Sequence, residues 1–150
     1  MGSNNYNYNK PNRGGSSWNQ NYNTTRGIEP KEVPDDYVDA AEKIIVTRGN
    51  PNNITTTKLR KILTMINDIY NVEASRSDRE LTKESQEALQ IARVRIAYEC
   101  GRDGSVKAFV KDTLLLNYIK GIKKSRKAFM DFAHYMEALV AFHRYYGGKD

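Results

Sequence analysis

The sequence predicts an all-α protein, a compact five-helix bundle over residues 31–150 that follows a disordered N-terminal tail. Three observations carry this prediction. Apolar residues between positions 37 and 143 recur every three or four residues, which is the spacing of one helix face. Glycine, proline and threonine stand where this pattern begins and ends. No segment alternates apolar and polar residues as a half-buried strand does.

Residues 1–30 form the predicted tail. Asparagine, glycine, serine and tyrosine dominate this segment, and aliphatic side chains are almost absent. Such a composition cannot bury enough apolar surface to offset the entropy lost on ordering. Its aromatic and cationic side chains could stack on single-stranded bases, although a solvated arm without a specific role is the favoured interpretation. These side chains are Tyr6, Tyr8, Lys10, Arg13, Trp18, Tyr22 and Arg26.

The first two helices are marked by proline, acidic residues and threonine. Pro34 suits the first turn of a helix, and the two aspartates that follow it favour the positive helix end. Gly49-Asn50-Pro51 ends this helix. A second helix begins at the threonines 55–57 and keeps a helical apolar spacing as far as Tyr70.

Three further helices follow. The third begins after Thr82, a candidate cap, and runs to position 100, where Gly101 stops it. The fourth is predicted over residues 105–121 and the fifth over 125–146. Short loops between them are typical of a helical bundle.

The charge of the chain points to an anionic partner. Lysine and arginine number 24 against 18 acidic residues, a formal net charge of +6. Residues 93–127 hold ten of the basic residues and three of the acidic ones, so the excess is concentrated there. A basic surface favours nucleic acid or another anionic surface without distinguishing between them.

Little in the sequence suggests a membrane or an oxidising compartment. There is no run of about 18 apolar residues and no apolar core of a signal peptide. The single cysteine, Cys100, excludes an internal disulfide and a cysteine-rich zinc site. We therefore expect a cytoplasmic protein with no membrane contact.

Catalytic or metal-binding groups are not evident either. His134 and His143 are nine residues apart on one predicted helix, which places them on opposite sides. His143 falls in an apolar stripe and is expected to be a packed, hydrogen-bonded side chain. With no nucleophile elbow, phosphate loop or metal-ligand motif, we expect no enzyme activity, no metal and no cofactor. A small nuclease that uses the histidines remains an alternative.

The stretch TTTKLRK, residues 55–61, is unusual for a helix start. Cations there are normally disfavoured by about 0.3–1 kcal/mol each, because the N-terminal end of a helix is positive. Here Lys58, Arg60 and Lys61 follow three threonines, so hydroxyls, backbone N–H groups and cations would face one place. A phosphate would satisfy all of them. A simple threonine cap followed by solvated lysines is an equally supported alternative.

The stretch IARVRIAY, residues 91–98, is apolar on two sides of its helix. Such a helix lies centrally in the bundle or is covered by a partner. Arg93 projects into one apolar side, where it must meet an anion, reach solvent or pair with an acid such as Glu99 or Asp103. The following Gly101-Arg-Asp-Gly104 matches the G-x-x-G of KH domains, but no sheet is predicted, so a helix stop and turn are favoured.

Residues 135–150, YMEALVAFHRYYGGKD, resemble the C-terminal signature of the small Csm subunit of type III-A CRISPR–Cas effector complexes. The resemblance extends back through FMDFAHYMEALVAF, through ARVRIAYECGRDGSVK (residues 92–107) and to TTTKLR (residues 55–60). It covers roughly residues 35–150, and the Asn/Tyr-rich tail lies outside it.

The resemblance implies a non-catalytic RNA-binding subunit. Copies of such subunits stack head to tail as a minor filament along the crRNA–target RNA duplex, alongside other Csm subunits, and contact its backbone without reading sequence. Antiviral target selection is left to base pairing. A purely structural scaffold whose basic face meets acidic protein partners is the alternative. The residues that match the family's basic positions, with one added hydroxyl, are Thr57, Lys58, Arg60, Arg93, Arg102 and Lys107.

Two other segments are expected to stay outside this RNA contact. The matched C-terminal end, with Tyr145 and Tyr146, is expected to serve helix packing and subunit contact. The basic run YIKGIKKSRKAF, residues 118–129, lies at a predicted turn, and the family pattern does not require it to be basic. We expect it to give long-range electrostatic support rather than specific contacts.

Overall fold

A computed structural model describes Gly2 and residues 27–150, and this part of the chain folds into six α-helices. They are α1 (Tyr37–Arg48), α2 (Thr56–Glu73), α3 (Lys83–Arg102), α4 (Gly104–Asp112), α5 (Leu115–Ile122) and α6 (Arg126–Tyr145). The predicted all-α class is confirmed, since no strand occurs among the described residues. Within the predicted tail, residues 1 and 3–26, which include its base-stacking side chains, lie outside the described residues.

Four helix starts are fixed by side-chain caps that the sequence contains. Thr55 Oγ1 accepts a hydrogen bond from the backbone N–H of Lys58, and Thr82 Oγ1 accepts one from that of Ser85. Ser125 caps α6 in the same way, and Asp103 caps α4. Each cap satisfies an N–H group that the helix itself leaves without a partner. The predicted starts of the second, third and fifth helices therefore agree with the structure to within a residue or two.

The prediction of five helices is wrong by one, because the predicted fourth helix is split at Thr113 and Leu114. Leu114 adopts φ +61°, a left-handed conformation that ends α4 and redirects the chain into α5. The carbonyl of Thr113 accepts a hydrogen bond from the buried hydroxyl of Tyr135, 2.8 Å away. The third helix also continues through Gly101 and ends at Arg102 instead.

The core lies around α6, which packs against α1, α2 and α5, while α3 packs against α2, α4 and α5. Its largest fully buried side chains are aromatic, namely Phe109, Phe129, Phe132 and Tyr135. The exposed ends of α2, α3 and α4 are thus held on a rigid base. No helix among the described residues is long and apolar enough to cross a membrane.

Two hydrogen bonds hold the segment before α1 against α5. The segment before α1 runs along α5, where the Lys31 N–H donates to the Asn117 carbonyl at 3.0 Å and Lys120 Nζ donates to the Ile28 carbonyl at 2.7 Å. Gly121 allows this approach, because a β-carbon there would overlap the Lys31 carbonyl. Lys120, part of the basic run, thus has a structural partner.

Glu73, at the end of α2, is fully buried and joins three helices. Its carboxylate accepts hydrogen bonds from Arg76 Nη1 at 2.6 Å and from the Thr82 N–H at 3.0 Å. Its backbone carbonyl accepts two more from the guanidinium of Arg126 on α6, at 3.0 and 2.7 Å. Burial alone would raise the pKa of Glu73, but the hydrogen bonds from Ser85, Thr82 and Arg76 hold it below its usual value.

Candidate nucleic-acid interface

The start of α2 is held in place by the C-terminal segment of the chain. The N–H of Thr56 donates to the carbonyl of Lys149 at 2.9 Å, and the Thr56 side chain is buried against His143. The Lys58 N–H is bound by the Thr55 hydroxyl. Two of the backbone N–H groups expected to face a phosphate are therefore already hydrogen-bonded within the chain. The start of α2 offers an external anion its side chains instead.

The junction between α3 and α4 lies directly beside these side chains. Asp103 ends α3 and caps α4, since its Oδ1 accepts hydrogen bonds from the N–H and hydroxyl of Ser105 at 2.9 and 2.6 Å. Its Oδ2 lies 2.6 Å from Lys58 Nζ, which also donates to Ser105 Oγ at 3.4 Å. One aspartate therefore joins the starts of α2 and α4.

A second acidic residue, Glu99, lies one turn earlier on α3. Its Oε1 is 2.9 Å from Lys61 Nζ on α2 and 3.7 Å from Arg102 Nη1 on its own helix. Lys58, Lys61 and Arg102 therefore surround Glu99 and Asp103 at one groove of about 290 Å³ between α2 and the α3–α4 junction. We call it the α2–α3 groove.

The electrostatics of the groove follow from these pairs. The hydrogen bond from Lys61 and the charges of Lys61 and Arg102 hold the pKa of Glu99 below its usual value. Hydrogen bonds from Lys58, Ser105 and the α4 backbone hold the pKa of Asp103 far below its usual range. Both acids are therefore ionised at neutral pH, and the groove carries three positive and two negative charges.

The structure places two of the six predicted site residues in the groove and two others beside it on α2. Lys58 and Arg102 line the α2–α3 groove, while Thr57 and Arg60 lie exposed on the adjoining outward face of α2. Arg60 has no side-chain hydrogen bond or ion pair among the described residues. Lys58 and Arg102 are therefore the predicted site residues that share one groove.

Arg93 and Lys107 lie elsewhere. Arg93 is nine positions before Arg102 on α3 and so faces the opposite side of that helix. Its guanidinium donates to Gln90 Oε1 at 3.3 Å. Arg93 is half-buried and does not form the ion pair with Glu99 or Asp103 that was one of its predicted alternatives, since both acids pair with other cations. Lys107 lies near Cys100, where burial raises the pKa of the thiol and the Lys107 charge partly counters this.

Sequence analysis named Lys61 among the cations at the α2 start but not among the six site residues, and it did not predict Glu99 and Asp103 as the acidic floor of the groove. The three-residue spacing of Lys58 and Lys61 on one helix was a usable signal, because residues three apart are neighbours on a helix surface. An aspartate immediately before Gly-Ser is a recognisable cap. The pairing of these acids with α2 comes only from the packing of α2 against α3.

Both histidines have structural partners. His143 is buried as expected, and its Nε2 lies 2.7 Å from the Pro51 carbonyl and 3.0 Å from the Ile54 carbonyl. Carbonyls only accept, so Nε2 carries the proton and Nδ1 accepts from the Thr56 hydroxyl at 3.4 Å. His134 lies between the hydroxyls of Tyr37 and Tyr70, at 3.3 and 3.4 Å.

One further surface adjoins the groove. Ile91, Val94 and Tyr98 form an exposed apolar face on α3, with exposed fractions of 52, 67 and 67%. Arg102 lies over the Tyr98 ring, with its guanidinium carbon 6.0 Å from the ring centroid. Of the two interpretations of residues 91–98, a central position in the bundle is wrong for this face, because it points to solvent.

A helical bundle with a paired-charge groove at one end and an exposed apolar face beside it defines a small binding or assembly subunit. Comparison with known proteins gives the family. A family model for Csm2 of type III-A systems matches residues 31–149. The chain therefore belongs to the Csm2 family, the Csm small subunit of type III-A CRISPR systems.

Curated relatives agree. The CRISPR system Cms protein Csm2 of Mycobacterium tuberculosis (strain ATCC 25618 / H37Rv) is 36% identical over 120 residues, which cover 79% of this chain and 97% of that protein. The Csm2 of Streptococcus thermophilus is 35% identical over 120 residues, covering 77% and 95%. The Csm2 of Enterococcus italicus is 34% identical over 97 residues, covering 63% and 69%.

Proposed function

We propose that this chain is a non-catalytic RNA-binding subunit of a type III-A CRISPR interference complex in antiviral defence. Several copies stack as a minor filament along the crRNA–target RNA duplex. They contact its sugar–phosphate backbone and leave sequence selection to base pairing. Family membership supports the complex and other Csm subunits as partners.

The observation that supports the RNA contact is the cluster of cations at the α2–α3 groove, where Lys58, Lys61 and Arg102 lie together. Thr57 and Arg60 are exposed on the outward side of α2 and extend the basic start of this helix beyond the groove. Lysine and arginine on exposed helix ends suit phosphates, which fix position without carrying sequence information. Arg93 on α3 and Lys107 on α4 lie outside the groove, and we assign them to a second contact with the same duplex.

The absence of catalysis is supported by how the histidines are used. His143 is held by two carbonyls and a threonine hydroxyl, and His134 lies between two tyrosine hydroxyls. A general acid or base needs access to its substrate proton. Buried His143 does not have that access, and no carboxylate pairs with either imidazole among the described residues.

Contact with another subunit is the role we assign to the exposed apolar face of α3. Exposed apolar side chains that adjoin one another mark interaction surfaces. Acidic Glu84 and Glu87 lie toward the start of α3, whereas Arg95 and Arg102 lie toward its end. This separation of charge suits a neighbouring copy of the same chain, whose basic end can meet the acidic end.

Salt-dependent RNA binding tests the proposal. The probe is a fluorescent single-stranded RNA of about 20 nucleotides, titrated by anisotropy at two salt concentrations. Replacing Lys58 and Arg60 by glutamine should weaken binding and flatten the dependence of log affinity on log salt by about 0.7 for each phosphate that is no longer neutralised. A matched variant, Lys43→Gln with Lys83→Gln, removes the same charge from exposed positions away from the groove.

The scaffold alternative has one observation in its favour. Lys58, Lys61 and Arg102 already pair with carboxylates within the chain, so an acidic protein surface would also suit them. An unchanged affinity for RNA in the Lys58 and Arg60 variant, together with loss of assembly into the complex, would favour the scaffold. Equal loss of RNA binding in both matched variants would leave only a nonspecific charge effect.

A further inference from the structure

The acids of the α2–α3 groove lie beneath its cations. Glu99 and Asp103 have side chains that are 20 and 26% exposed, whereas those of Lys58, Lys61 and Arg102 are 42, 62 and 60% exposed. The two carboxylates are one turn apart on α3, and each lies within ion-pair distance of at least one of these cations. The free protein therefore supplies its own anions to the groups proposed to bind phosphate.

The two carboxylates compete with an incoming RNA phosphate for the same cations. A phosphate that approaches Lys58 must replace, or share, a carboxylate contact of 2.6 Å, and at Lys61 one of 2.9 Å. It also meets two fixed negative charges under the cations, and like charges placed together oppose association. Arg60, which has no such partner among the described residues, is free of this competition.

We propose that Glu99 and Asp103 are built-in competitors for phosphate that keep the RNA affinity of a single subunit low. This inference rests on the proposed RNA contact and deepens it. Several weak grooves in one filament bind by multivalency, because each later contact is made at a high effective concentration. A free subunit releases RNA readily, so stable binding is restricted to the assembled complex.

The two acids differ in their structural roles. Asp103 has a second role as the cap of α4, and its two oxygens are divided between that cap and Lys58. Glu99 has no cap role, and its interactions among the described residues are those with Lys61 and Arg102. Glu99 is therefore the cleaner position at which to remove the competition without disturbing a helix start.

The test is Glu99→Gln in the full chain, with the same single-stranded RNA probe at about 50 and 200 mM salt. Glutamine keeps the shape and an acceptor oxygen for Lys61 but removes the charge. We expect roughly three- to tenfold tighter binding at the lower salt, since one competing charge near two phosphate contacts is gone. The salt dependence should become steeper by about 0.7 for each additional phosphate engaged.

Two controls separate this effect from a change in net charge. Glu137→Gln removes one charge from an exposed position on α6, a helix that contributes no residue to the groove, and should change affinity less than about twofold. Glu99→Gln placed in a chain that already carries Lys61→Gln and Arg102→Gln should have a much smaller effect, because the cations that it releases are absent and only its direct repulsion of the phosphate is removed. Asp103→Asn, which keeps the cap oxygen, should act in the same direction as Glu99→Gln.

The outcomes distinguish the two proposals. If the wild-type chain binds RNA in a salt-sensitive way and Glu99→Gln binds no more tightly than Glu137→Gln, the competition is overturned and the RNA contact stands. If Glu99→Gln binds more weakly, the acids orient the cations instead, and the competition is again overturned. If no variant and no wild-type chain binds RNA even at low salt, the proposed RNA contact falls and the competition with it.

Discussion

Gly148 lies directly against the imidazole of His143, so closely that a β-carbon at this position would overlap the ring. The Gly148 N–H donates to the His143 carbonyl at 2.9 Å, and the next residue, Lys149, accepts the first N–H of α2. The absence of a side chain at Gly148 therefore lets the chain turn over His143 and pack against the start of α2, where the proposed RNA contact begins.

Gly148→Ala should therefore destabilise the protein by about 1–3 kcal/mol, as overpacking of a closed site does. It should also weaken RNA binding, since the start of α2 loses its anchor. Thermal unfolding and the RNA titration measure the two effects. Gly101→Ala is the matched control, because nothing lies within 4 Å of its β-carbon and the site is helical. That change should stabilise the protein by up to about 1 kcal/mol. Equal stability of Gly148→Ala and wild type would contradict the packing.

The buried carboxylate of Glu73 predicts acid sensitivity. Its pKa is lower in the folded protein than in the unfolded chain, so its contribution to stability is complete near neutral pH. That contribution is lost as the pH falls below about 4, through the folded-state pKa. Chemical denaturation of the wild type at several pH values should show the free energy of unfolding decreasing in this range.

Glu73→Gln should cost about 3 kcal/mol at pH 7, because Arg76 and Arg126 then lose a buried charged partner. The difference from wild type should shrink as the pH is lowered, since the wild-type carboxylate is then protonated as well. Glu84→Gln, at an exposed position in the first turn of α3, serves as the control and should show neither the loss nor the pH dependence. A pH-independent difference would contradict the assigned pKa direction.

Lys123 occupies a backbone conformation that favours glycine, with φ +54° and ψ −110° after the last residue of α5. A non-glycine residue held there is strained by about 1–3 kcal/mol. Lys123→Gly should therefore raise the unfolding temperature by a few degrees. Lys124→Gly, one residue later and without a positive φ, removes the same charge and should lower stability or leave it unchanged. A loss of stability in both variants would show that the strain is absent.

Sequence reasoning found the elements that local chemistry specifies and missed those that packing specifies. Thr55, Thr82 and Ser125 are local caps, and the helices that they begin were predicted close to their observed starts. The break at Leu114 has no glycine or proline signal. It accompanies a hydrogen bond from Tyr135, which is 22 residues further along the chain than its acceptor, the Thr113 carbonyl.

In the candidate site, too, the features set by local chemistry were predicted and those set by packing were missed. Lys58 and Arg60 were predicted because cations at a helix start conflict with the helix dipole, and a local conflict is visible in the sequence. The partners of the α2 lysines, Glu99 and Asp103, come from another helix at sequence separations of 38 and 45 residues. No periodicity links residues so far apart, so the sequence could not show that the site is already partly neutralised.

The basic run at residues 118–129 gives the last prediction. Lys120, Arg126 and Lys127 are engaged with the Ile28 carbonyl, the Glu73 carbonyl and Asp131, respectively. Lys123 and Lys124 are exposed and have no side-chain partner among the described residues, so they can be neutralised without breaking an interaction. Long-range attraction, which acts mainly on the association rate, is the contribution that we expect from them.

Lys123→Gln with Lys124→Gln should therefore weaken RNA binding less than Lys58→Gln with Arg60→Gln, although both variants lose two positive charges. Stopped-flow anisotropy separates the rates. The loss in the Lys123 and Lys124 variant should fall on the association rate and disappear at high salt, because exposed charges are then screened within about 3 Å at 1 M ionic strength. The loss in the Lys58 and Arg60 variant should fall mostly on the dissociation rate, where direct contacts act. The opposite ranking would place the RNA contact at the turn between α5 and α6 and remove it from the α2–α3 groove.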